Sequence, residues 1–219
     1  LKYMNYFKAW AKYREMSADE WYKVFDLLKK HNAKLTVGVT AAWVNYDGTS
    51  VVFNKKFPEE AKALKHGMEE GLIEIANHGL THCVVKDNLF RPKLFSSNRT
   101  YHREFWEWLG EDLHYNHIKE SQDILQEFFD TDVVTLIPPG NVYCDFTVDA
   151  AKKYGIKHIN CQTHDAKQNS INIISNNNVF AFHDKEIVEE GLDWLEEIFK
   201  KYQSHEYLFV NELHKECNK

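Results

Sequence analysis

Apolar residues in this chain recur with two periods in alternation, short runs of strand length and three- to four-residue helical steps. Ser17-Ala18-Asp19-Glu20 is a capping-box signature, and Trp21, Val24, Phe25 and Leu28 follow at helical spacing, which predicts a helix over 18–31. Residues 35–40 have the composition of a strand. A helix over 59–70, ended near Gly71, leads to a strand over 72–76. Another over 117–129 leads to a strand over 133–137, and one over 147–154 to a strand over 156–160. A strand over 179–182, a helix over 186–202 and a strand over 207–210 close the pattern, while 171–174 suits an extra short strand. The six principal strands, with helices between them, imply parallel pairing through right-handed crossovers, and so an α/β barrel or doubly wound sheet.

In such folds the ligand-binding and catalytic groups stand on loops leaving the C-terminal ends of the strands. Strand 72–76 runs into Asn77-His78-Gly79-Leu80-Thr81-His82, where two imidazoles four residues apart can share a zinc-like ion if the segment turns helically. Strand 133–137 runs into Pro138-Pro139-Gly140-Asn141, a rigid turn suited to holding substrate. His164-Asp165 follows strand 156–160, and His183-Asp184 follows strand 179–182. A histidine capping an apolar strand has no packing duty, and Asp184 suits a helix N-cap.

The irregular region 86–113 carries Arg91, Arg99, His102, Arg103, Phe105, Trp106 and Trp108. Aromatic faces suit sugar rings and guanidinium groups suit carboxylate or phosphate, so an acidic or nucleotide-linked sugar is one hypothesis for what this region binds. Arg99, Arg103 and Trp106 are its candidate contacts; the competing reading has Trp106 and Trp108 completing the core. His114 and His117 are expected to flank the start of a helix, and His31, His66, His205 and His214 to lie on the surface.

A chain of 219 residues is long enough for one domain, 1–219, with a proper core. Its net charge of -6, with 27 basic residues scattered among 33 acidic ones, argues against a nucleic-acid partner. Cys83, Cys144, Cys161 and Cys217 are widely spaced, without the pairs of a zinc knuckle or a disulfide scaffold, which favours reduced thiols and a cytoplasmic location. No apolar run reaches the ~20 residues of a membrane span. The chain opens on Leu1 in an aromatic run, Tyr3, Tyr6, Phe7 and Trp10, as a fragment that has lost a first strand would. Its oligomeric state is left open.

Taken together, these segments resemble the polysaccharide deacetylases of carbohydrate esterase family four, the NodB-homology superfamily. His78-Gly79-Leu80-Thr81-His82 resembles the family's metal-binding motif, Leu136-Ile137-Pro138-Pro139-Gly140 the motif lining one wall of its groove, and Phe180-Ala181-Phe182-His183-Asp184 its last motif. The resemblance implies a distorted (β/α)7 barrel whose first strand is missing here, with His78 and His82 as ligands of a divalent metal ion, Zn2+ by preference, and His183 as general acid. It also implies hydrolysis of an N-acetyl group on a sugar of a bacterial surface polysaccharide or its precursor. Three features depart from the pattern. The paired aspartates that supply a base and a third ligand do not occur in this sequence and are expected upstream of Leu1, with Asp165 and Asp184 as the nearest stand-ins. The groove-wall motif lacks its usual arginine, and Gly79 stands where Ser or Thr is commoner. A silent carbohydrate-binding relative and a metallohydrolase of another amide are the alternatives.

Overall fold

The structure, a computed structural model, describes residues 14–44, 49–82, 103–161, 171–174 and 179–216. Helix α1 (Ala18–His31) begins as its capping box dictates, with the Ser17 amide donating to Glu20 Oε2 at 2.8 Å and the Glu20 amide to Ser17 Oγ at 3.4 Å. Asn32, in the left-handed region at φ 48, ends it. Strand β1 (Leu35–Val39) follows, then an antiparallel hairpin of β2 (Ala42–Val44) and β3 (Ser50–Val52), and helices α2 (Phe53–Lys56) and α3 (Pro58–Glu69). Strand β4 (Ile73–Asn77) is buried along its whole length. Helix α4 (Glu111–Phe129), β5 (Thr135–Leu136), α5 (Asp145–Lys153), β6 (His158–Asn160) and β7 (Asn172–Ile174) come next, then α6 (Asp184–Glu190), α7 (Leu192–Lys201) and α8 (Val210–Glu216).

Five strands form one parallel sheet in the order β1-β4-β5-β6-β7, with β1 and β7 its edges among the described residues. The α/β architecture with parallel pairing is therefore as the alternation of periods implies. Val24, Phe25 and Leu28 of α1, Leu64 of α3, Ile73 and Ile75 of β4, Leu125 and Phe129 of α4, and Leu195 and Phe199 of α7 build the main core. A second cluster joins Phe105 and Ile118 to Leu136, Val148, Ile156 and Ile159 under α4 and α5.

Three elements differ from expectation. Residues 179–182 form no strand: the short segment β7 pairs with β6 instead (Asn160 opposite Ile174), and Phe180 and Phe182 pack their rings against Trp194. The expected helix over 186–202 breaks into α6 and α7 at Gly191, whose φ of 86 and ψ of 173 no helix accommodates. Residues 207–210 form no strand either, because Glu212 reaches back to accept the Phe209 amide at 2.8 Å and turns the chain into α8.

Where α8 begins, it meets a polar row on the sheet. Thr36 lies opposite Glu74, and Thr135 opposite His158. The Glu74 carboxylate accepts hydrogen bonds from the Thr36 hydroxyl at 2.7 Å, the Thr135 hydroxyl at 2.5 Å and the Asn211 amide at 3.3 Å, while the Val210 amide donates to Thr36 Oγ1 at 2.9 Å. Burial raises the Glu74 carboxyl above its ordinary value against these hydrogen bonds.

Candidate active site

The β4 end is fixed from both sides. The Ile137 amide donates to the Asn77 carbonyl at 2.8 Å and the His78 amide to the Val39 carbonyl at 3.0 Å. Asn77, fully buried, donates from Nδ2 to Ser121 Oγ at 2.8 Å and Gln122 Oε1 at 3.0 Å, and its Oδ1 accepts the Gly79 amide at 2.8 Å. The loop then bonds to the start of the hairpin, with the Ala41 amide on the Gly79 carbonyl and the Ala42 amide on the Leu80 carbonyl, at 3.1 and 2.6 Å.

From this platform the histidines project together, their ring centroids 4.9 Å apart. The segment does not turn helically, contrary to the sequence reading: Gly79 at φ 82 and His82 at φ 58 bracket a bend, and the second ring lies against the first. His78 Nδ1 lies 2.6 Å from the Ile137 carbonyl, so Nδ1 carries the proton and Nε2 presents its lone pair. Burial of the ring, with the adjacent His82 and against the Ile137 contact, pushes the His78 imidazole down to about 3, which keeps it neutral. Neutral imidazole with a fixed tautomer is the form a divalent ion takes. Among the described residues no group of three or more His, Cys, Asp or Glu converges as a complete metal site, so the pair fits two positions of a coordination sphere and no more.

The groove-wall turn stands beside the pair. The Asn141 amide donates to the Pro138 carbonyl at 3.0 Å, closing a turn in which Gly140 has φ 62 and Asn141 φ 57. Arg103 lies across Gly140, where a Cβ would meet its Cγ and Nε at 2.6 Å, and its guanidinium carbon sits 5.6 Å from the Trp106 ring centre. Arg103, Trp106 and the turn thus share one rim. Trp108 is 59% exposed, and the core-completing aromatic of this region is Phe105, fully buried. Arg99 and the His164-Asp165 pair lie outside the described residues.

His183 is the N-cap of α6 and its side chain is 81% exposed, its Nδ1 3.6 Å from Glu186 Oε2. Asp184 is the first helical residue rather than the cap. His31 is half-buried against Phe199, and His114 and His117 lie inside α4 rather than at its start. His114 is fully buried, its ring nitrogens 2.9 Å from Thr147 Oγ1 and 3.0 Å from the Trp106 carbonyl.

One residue of the site escaped the sequence reading. Glu104, fully buried, accepts the Leu80 amide at 2.6 Å and the Thr81 amide at 2.9 Å. Its burial would raise the carboxyl, but His117 and the two amides outweigh that and hold it below the ordinary value, ionised. The signal for its surroundings was a polar stripe at helical spacing, His114, His117, Ser121 and Gln122, on the otherwise apolar face of α4.

The sequence profile of the family described as Polysaccharide deacetylase matches residues 13–159, two thirds of the chain and the whole of the histidine loop and proline turn. The chain belongs to the polysaccharide deacetylase family. No curated protein sequence matches it. Among solved structures, a wild-type CE4 family pseudoenzyme from Bacillus anthracis is 14% identical, with a TM-score of 0.52, 90% of this chain and 61% of that one covered. A mutant of that pseudoenzyme with restored enzymatic activity has a TM-score of 0.53 at 14% identity, covering 91% of this chain and 64% of that one. The deacetylase domain of BpsB from Bordetella bronchiseptica is 16% identical with a TM-score of 0.45, covering 74% of this chain and 69% of that one. The likeness to the pseudoenzyme structures carries the fold: this family member is built on the NodB-type barrel architecture, its sheet open between β1 and β7 among the described residues. The chain spans less than two thirds of the length of either pseudoenzyme structure. His183 lies beyond the residues that the family profile matches. No helix among the described residues is long and apolar enough to cross a membrane.

Proposed function

We propose that this family member is a metal-dependent deacetylase that removes an N-acetyl group from a sugar of a bacterial surface polysaccharide or its precursor. The observation that carries the reading is the His78–His82 pair, with rings 4.9 Å apart and the His78 Nδ1 proton committed to the Ile137 carbonyl. His78 and His82 would hold the ion, and an aspartate from outside the described residues would complete its protein ligands. When bound, a divalent ion, zinc for this donor type, supplies Lewis acidity, polarising a carbonyl and lowering the pKa of a bound water from about 15.7 toward about 7.

The chain's own residues do the rest. His183, whose side chain is exposed to solvent, is the residue we assign to protonate the departing amine, a poor leaving group without an acid. A backbone N–H near the Pro138, Pro139, Gly140 and Asn141 turn, other than the Asn141 amide already given to the Pro138 carbonyl, suits the developing oxyanion. Trp106 offers a face for a sugar ring, and Arg103 beside it favours a substrate carrying carboxylate or phosphate, including a nucleotide-linked sugar.

Metal content tests this directly. Purified full-length protein should contain about one zinc-like ion per chain by elemental analysis, lost in the His78→Ala, His82→Ala double variant, and should release acetate from an N-acetylated glucosamine oligomer. Equal metal content in both proteins removes the two histidines as ligands. A second reading, a silent carbohydrate-binding relative, draws on the pseudoenzyme among the structural neighbours; metal and sugar binding without acetate release would select it.

A further inference from the structure

The turn that brings the two histidines together has an unusual backbone. Gly79 and His82 both occupy the left-handed region, φ 82 and φ 58, and histidine seldom does so. Between them the amides of Leu80 and Thr81, both residues buried, point the same way, into protein rather than water. Two adjacent buried donors need an acceptor, and an anion suits them best.

Glu104 is that anion. One carboxylate oxygen accepts from Leu80 at 2.6 Å, and the other accepts from the Thr81 amide at 2.9 Å and from its hydroxyl at 3.3 Å. Among the described residues Glu104 does not join the two histidines as a third metal ligand. His117 Nδ1 lies behind it at 3.7 Å, ion-pair distance rather than hydrogen-bond distance. Gly79 completes the fit, since a Cβ there would collide with the Glu104 carboxylate and press on Pro139. The glycine that replaces the commoner Ser or Thr at this place in the motif is thus matched to the carboxylate arriving from residue 104.

We propose that Glu104 is a positioning residue for the histidine pair: its carboxylate binds the two amides between Gly79 and His82 and so fixes the bend that holds the His82 ring against His78. The inference rests on the reading of these histidines as metal ligands. It also gives the loop that carries the pair a buried negative charge, which favours a cation nearby.

The test uses full-length protein and zinc. Glu104→Gln keeps the shape but turns an amide NH2 toward donors, so zinc affinity, measured by competition with a chromophoric chelator well below the unfolding temperature, should fall about 10- to 100-fold. Acetate release should lose kcat with KM little changed, because the metal is misplaced while the sugar contacts stay. If Glu104→Gln does not fold, Glu104→Asp, a carboxylate one methylene short, should show the same pattern more weakly. Zinc affinity within twofold of wild type in a folded variant overturns the proposal and leaves the metal reading standing. A wild-type protein that binds no zinc overturns both.

Discussion

At the scale of single residues, Gly79 carries two constraints at once, a positive φ and a neighbouring carboxylate where a side chain would be. Gly79→Ala should therefore cost about 2–4 kcal/mol, the left-handed penalty plus overpacking, read as a shift in urea midpoint at constant m. A loss below ~0.5 kcal/mol would mean that the turn relaxes freely. The histidine pair was legible in the sequence because its two members are four residues apart and follow an apolar run. Its tautomer was not, since the carbonyl that fixes it belongs to Ile137, 59 residues away. Glu104 was invisible for a related reason: a glutamate in a loop reads as solvated, and its burial depends on the approach of Leu80, Thr81 and His117 from elsewhere in the chain.

At the scale of elements, boundaries followed local chemistry where a cap was written in the sequence, as at Ser17, and failed where tertiary pairing decided. Residues 179–182 have the composition of a strand, yet β-propensity describes a half-buried pleated surface, and here the position beside β6 is filled by β7. Gly191 offers a sharp test of the break between α6 and α7. Were 186–202 one continuous helix, Gly191→Ala would stabilise by about 1 kcal/mol. With φ 86 and ψ 173 the position suits essentially glycine alone, so the same change should destabilise by about 1–3 kcal/mol in urea titration. The sign alone distinguishes the two.

At the scale of the whole molecule, the parallel α/β plan was legible because alternating periods leave few topologies open. The polar row on the sheet was not, since Glu74 and Thr135 read as ordinary strand interruptions until the register aligns them with α8. The row has a pH signature. The Glu74 carboxyl is raised in the folded protein, so the fold binds its proton more tightly than the unfolded chain does. Its contribution is fully present below the ordinary value of 4.5 and is lost as pH rises through the folded value. Denaturation midpoints followed from pH 4.5 upward should show that loss in the wild type and not in Glu74→Gln; parallel profiles would remove Glu74 as the cause.

The docking of α8 also orders events in time. Thr36 and Lys34 take their partners from Val210 and Glu212, separations of 174 and 178 residues, so β1 waits for a distant segment of the chain. Closure of loops this long comes after the local helices have formed, and until then the Glu74 row stands open to water. Until residues 210–212 have been made, α8 cannot cover the Glu74 row, and any factor that shelters the nascent chain would find its target there.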